Sequence, residues 1–88
     1  MIKVEFKYRV EVGPHNDLKF LCETNDFNEL IENIKNYTKK KIEKSYYWRV
    51  LDYDTYIRID YGSWSDFVYV YFLDIDSKKQ FMEAKIAL

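Results

Sequence analysis

Two close carboxylate pairs, Asp52 with Asp54 and Asp74 with Asp76, are the residues of this 88-residue chain whose type and spacing come nearest to chemistry. Paired carboxylates can divide acid and base work between them, or hold a magnesium ion through oxygen ligands. Either use needs further parts, such as a glycine-rich loop around a phosphate or a nucleophile beside a base. Gly13 and Gly62 are the only glycines, and they lie far apart. His15, Asp17 and Cys22 offer three metal-ligand types, but a structural zinc site closes with four and their spacing follows no Cys/His pattern. The sequence therefore predicts a protein that is not an enzyme and carries neither metal nor cofactor. Each aspartate has a local use in a turn or a helix cap.

Their joint sign asks for more. Charge is segregated along the chain: residues 1–34 carry −3, 35–49 carry +5, 50–76 carry −5 and 77–88 carry +2. The acidic stretch holds Asp52, Asp54, Asp60, Asp66, Asp74 and Asp76 against Arg58, and eleven of the seventeen aromatic residues fall between Tyr46 and Phe72. Carboxylates two residues apart in extended chain stand about 7 Å apart, comparable in scale with duplex phosphates at about one charge per 3.4 Å per strand. An acidic, aromatic sheet edge of this kind suits a basic, nucleic-acid-binding protein as partner. The expected partner-binding residues are the six aspartates with Tyr53, Tyr56 and Trp64. Tyr47, Tyr69 and Tyr71 are also expected outside the core, opposite the aliphatic face. A second reading uses Lys35, Lys39, Lys40, Lys41, Lys44 and Arg49 as a phosphate-binding stripe with aromatic rings stacking on bases. A chain of pI near 5.8 lacks the usual overall charge of a nucleic-acid binder.

The elements that must position these residues follow from the apolar spacing. Ile2 to Val12 alternate apolar and charged, a half-buried strand, and Gly13-Pro14-His15-Asn16-Asp17 turns it into a second strand with Leu18, Phe20 and Cys22 on one face. Asp26 and Glu29 have the spacing of a capping box, and Phe27, Leu30, Ile31, Ile34, Thr38 and Ile42 form one helical stripe. The lysines at the end of that helix complement its dipole. From Tyr46 the period returns to two, giving strands joined at Asp52-Tyr53-Asp54-Thr55 and a last strand, Phe67 to Leu73, apolar or aromatic on both faces and so central or an interface. Asp74 to Ser77 offers caps for a short closing helix. The expected fold is α+β in the order ββαβββα, a four- to five-stranded antiparallel sheet with the long helix on one face.

Length bounds the rest. Residues 1–88 make one domain, which buries only about 60% of its unfolded surface and gains from pairing, so a homodimer is expected. A lone cysteine excludes an intramolecular disulfide and favours a reducing, cytoplasmic setting. No apolar run nears the roughly 20 residues that cross a bilayer, so no membrane partner is expected.

The closing stretch from Asp66-Phe67-Val68-Tyr69-Val70-Tyr71-Phe72-Leu73 through Asp74-Ile75-Asp76-Ser77 to Lys79-Gln80-Phe81 resembles the strand, acidic turn and short helix that end many small proteins of large tailed bacteriophages. Its aromatic and acidic character is similar to that of phage host-takeover proteins, among them inhibitors of the histone-like protein HU. That resemblance implies an inhibitor in the host cytoplasm that occludes the DNA-binding surface of a nucleoid-associated protein. Anti-CRISPR proteins are the neighbouring alternative.

Overall fold

The computed structural model describes residues 6–45, 49–61 and 65–85, with side chains 39–45 and 85 outside the description. The protein is α+β, a five-stranded antiparallel sheet with two helices. In chain order these are β1 (Tyr8–Gly13), β2 (Lys19–Thr24), α1 (Phe27–Ser45), β3 (Arg49–Asp52), β4 (Tyr56–Asp60), β5 (Phe67–Phe72) and α2 (Ile75–Lys85). Across the sheet the order is β2-β1-β5-β4-β3, so the doubly apolar β5 is the central strand.

Alternation assigns the two faces. Tyr8, Val10 and Val12 of β1 stand opposite Phe72, Val70 and Val68 of β5, and Val70 and Val68 stand opposite Ile57 and Ile59 of β4. These side chains meet Leu30, Ile31 and Ile34 of α1 and Phe81 of α2 in one core. Thr38, also buried, returns its hydroxyl to the Ile34 carbonyl at 2.8 Å. Of the expected helical stripe, only Ile42 lies outside the described side chains.

Two local details depart from expectation. Asp26 caps α1 by accepting the Asn28 N–H at 2.9 Å, but its own N–H goes to the Thr24 hydroxyl and not to Glu29. Thr24, buried at the end of β2, supplies the reciprocal half of the box from outside the helix. In β2, Val10 pairs with Cys22 while Glu11 pairs with Phe20, so Leu21 is a bulge. The extra residue breaks the period of two, sending Cys22 towards the core and Phe20 out under the Arg9 guanidinium, 4.8 Å from its ring centroid. The β1–β2 turn needs Gly13, whose φ of 123° lies where L side chains strain and where a Cβ would sit 2.9 Å from the Asp17 carbonyl oxygen.

Candidate functional site

The hairpin β3–β4, the end of β5 and the start of α2 converge at one end of the sheet. The Tyr53 N–H donates to the Tyr56 carbonyl at 3.0 Å and closes the hairpin, while the Phe72 N–H reaches the Thr55 carbonyl at 3.3 Å. Asp74 caps α2 by accepting the Ser77 N–H at 2.8 Å. That backbone donor, followed by the Ser77 hydroxyl, holds its carboxyl below the usual carboxylate range, and nearby Lys7 acts in the same direction. Lys78, one turn into the helix, leans back over the hairpin, where its ammonium donates to the carbonyls of Tyr53 and Asp54 and pairs with the Asp52 carboxylate. The Lys78 side chain is only 16% exposed. It is consumed as a clamp between helix and turn.

Four of the six aspartates named from the sequence, Asp52, Asp54, Asp74 and Asp76, are thus brought to one corner, all exposed. Around them stand apolar side chains that the core does not use: Tyr53 at 39% exposure, Leu73 at 48% and Ile75 at 68%. A shallow groove of about 290 Å³ runs between the hairpin and α2 over Phe72, with Asp54 and Asp74 on its walls. Tyr53 is braced by Tyr56, the rings stacked with centroids 4.9 Å apart and planes 16° apart. Leu73 and Ile75 were not named from the sequence. Their signal was an apolar residue on each side of Asp74, in a stretch where the chain leaves a strand for a helix and neither period applies.

Asp60 and Asp66 do not join this corner. Asp60 ends β4 and Asp66 precedes β5, at the opposite end of those strands from the hairpin turn. The six carboxylates therefore form two groups, not one continuous row. Asp66 ties α1 to the sheet, accepting the Tyr37 hydroxyl at 3.0 and 2.9 Å and also the hydroxyl of buried Tyr61. Trp64 and Tyr47 lie outside the described residues. Tyr69, expected outside, is only 7% exposed although it points away from the helices. Its neighbour Tyr56, with ring centroid 6.0 Å away, helps to cover it. Of the basic stripe, Lys35 is exposed on α1, and Lys39, Lys40, Lys41 and Lys44 have side chains outside the description. Arg49 stands opposite Asp60 on the sheet face away from the helices, so the structure does not unite it with Lys35.

Four phenols are held protonated. Burial is the first cause at Tyr61, Tyr37, Tyr8 and Tyr71, and the carboxylate of Asp66 reinforces it at Tyr61 and Tyr37, that of Asp26 at Tyr8 and that of Glu11 at Tyr71. A raised folded pKa means that the unfolded chain ionises first, so this stabilisation is complete below about pH 10 and is lost as pH climbs towards the folded values. Denaturation midpoints should accordingly fall above about pH 10, in step with phenolate absorbance. Asp66→Asn should cost about 1–3 kcal/mol at neutral pH by weakening the acceptor for two phenols. A flat alkaline profile in the same titration would contradict this assignment.

Among the described residues, no three His, Cys, Asp or Glu side chains gather as metal ligands, and no helix is long and apolar enough to cross a membrane. Burial and the nearby Glu29 and Glu23 push the Cys22 thiol up, away from the reactive thiolate. Comparison with protein-family models, curated proteins and solved structures gave no match.

Proposed function

We propose that this protein is a non-enzymatic binding protein that seats the acidic corner formed by Asp52, Asp54, Asp74 and Asp76 on a basic, nucleic-acid-binding protein. The observation that carries this reading is the convergence of those four carboxylates with exposed Tyr53, Leu73 and Ile75, while Lys78 is spent on the hairpin. Carboxylates steer and register a cationic partner, and apolar side chains among them supply contact area that small ions cannot exploit. The corner then occupies the place of nucleic-acid phosphates on its target, as an inhibitor of the host-takeover kind would. Asp60 and Asp66, at the far end, take no part in this contact. An inhibitor of a host defence complex would use the corner in the same way, against a different basic surface.

A tagged pull-down from bacterial lysate, with and without nuclease and followed by a salt-wash series, tests the reading. Retention of a basic protein that survives nuclease, elutes with salt and is absent with the Asp52→Asn/Asp54→Asn variant supports it. Loss of all retained material after nuclease would instead assign binding to nucleic acid and to the basic end of α1.

A further inference from the structure

The sheet face turned away from both helices carries a pattern that the acidic corner does not use. Its central strand β5 presents Phe67, Tyr69 and Tyr71 there, with no charge. Charges flank this aromatic spine on both sides, Arg9 and Glu11 on β1 and Arg58 and Asp60 on β4. An aromatic centre with a charged rim is the anatomy of a protein interface. The outward side chains, with Glu23 on β2 and Arg49 on β3 included, are three arginines against three carboxylates, so this face is neutral where the corner is acidic.

The strand registers add a symmetry. Glu11 stands opposite Phe20 on one side and Tyr69 on the other, Tyr69 opposite Arg58, and Arg58 opposite Leu51. One row across the sheet therefore reads Phe20, Glu11, Tyr69, Arg58, Leu51: apolar, negative, aromatic, positive, apolar. A two-fold axis lying along β5 between two stacked copies maps this row onto its own reverse. Glu11 then meets Arg58 of the second copy, Phe20 meets Leu51, and Tyr69 meets Tyr69. In the next row Arg9, Tyr71 and Tyr56 stand opposite one another, and the same axis lays Arg9 over Tyr56 of the second copy, a cation–π pairing. Both charge contacts form twice, as an isologous interface requires.

We infer that the helix-free sheet face is a homodimer interface, two copies packing face to face about an axis along β5. Packed sheets sit about 10 Å apart with strands within about 30° of each other. At one strand spacing from the axis, about 4.8 Å, that rotation moves a side chain by only about 2–3 Å, so the Glu11–Arg58 contacts survive it. Five strands span about 24 Å and their paired lengths about 17–20 Å, a projected footprint of roughly 400–500 Å². Corrugation by tyrosine and arginine side chains raises the accessible area towards the roughly 800 Å² per partner of a specific interface. Within one chain β5 separates Glu11 from Arg58 by about 9–10 Å; Glu11 pairs there with Arg9 at 3.2 Å, whereas the Arg58 Nε is buried with no hydrogen-bond partner among the described residues, its guanidinium resting 4.7 Å over Phe67. The dimer leaves the four corner carboxylates uncovered, touches the corner only through Tyr56, on which Tyr53 stacks, and sets both corners at the same end on opposite flanks.

Sedimentation equilibrium across a concentration series decides the matter. Wild type should associate to a dimer; Glu11→Arg and Arg58→Glu should each weaken association about tenfold or more, and the double charge swap should restore much of it, since both contacts between positions 11 and 58 across the interface pair opposite charges again, while the Arg9–Glu11 pair within each chain stays broken. Phe20→Asp, at an exposed position outside the core, should weaken it in the same way and serves if a charge variant fails to fold. A wild-type monomer at all concentrations up to millimolar would overturn the inference, as would a dimer indifferent to these substitutions or a double swap no better than the single ones.

Discussion

Phe81→Ala unfolds the protein or leaves it barely folded at room temperature. Phe81 is fully buried and, among the described α2 side chains, is the one that reaches the centre of the core, against the rings of Phe27, Phe72 and Tyr8 at centroid distances of 5.6, 5.6 and 6.4 Å. Truncating such a side chain costs about 3–5 kcal/mol, part transfer and part cavity. A chain of this size has about 4–13 kcal/mol in all, so the loss is a large fraction of stability. The consequence reaches the surface, because among the other described α2 side chains Ser77 is buried and Lys78, Met82 and Ala84 are half-buried, and none of them replaces an aromatic ring. A loosened α2 withdraws the Lys78 clamp and the Asp74 cap, and the acidic corner loses its shape. Urea denaturation followed by far-UV circular dichroism should show the midpoint falling sharply; a change below about 1 kcal/mol would mean that α2 contributes little to the core.

Asp52→Asn/Asp54→Asn/Asp76→Asn has the opposite profile, folding intact and binding lost. All three carboxylates are exposed, and half-buried Lys78 keeps the Tyr53 and Asp54 carbonyls as acceptors when Asp52 loses its charge, so the stability change should stay within about 1 kcal/mol. Asp74 is left in place because it caps α2. Removing three charges from a contact that works by charge should weaken partner affinity about 10–100-fold and flatten its dependence on salt. Asp60→Asn, at the far end of the sheet, should leave both unchanged. Titration of the captured partner at several salt concentrations reads both quantities, and an unaltered affinity and slope in the triple variant would remove the corner from the contact.

The core was legible because its periods are clean. The α1 stripe through Leu30, Ile31 and Ile34 and the strand alternation at Tyr8, Val10 and Val12 each announce one buried face, and the two-sided apolar run of β5 announces a central strand. What escaped the sequence depends on residues that are not neighbours in it. The Thr24 hydroxyl replaces Glu29 at the helix cap because β2 ends beside α1. The Leu21 bulge is set by pairing with β1, and Phe20 changes faces with it. The six aspartates looked like one acidic segment, yet a strand joins each group to the other, so an extended chain carries Asp60 and Asp66 away from Asp52 and Asp54. Tyr69 kept its predicted face but not its exposure, because ring neighbours on an uncovered sheet can bury one another as well as a helix can. Arg9 and Arg58 read as ordinary polar-face residues until the strand order placed them on either side of the same aromatic spine.

The most direct test of the proposed function is competition on DNA by the partner recovered from lysate. With that basic protein bound to a labelled duplex, added wild-type protein should release the duplex at near-stoichiometric concentration, and the corner triple variant should not. A stable ternary complex of DNA, partner and this protein would contradict the account, since a corner that occupies the phosphate site cannot share it with DNA.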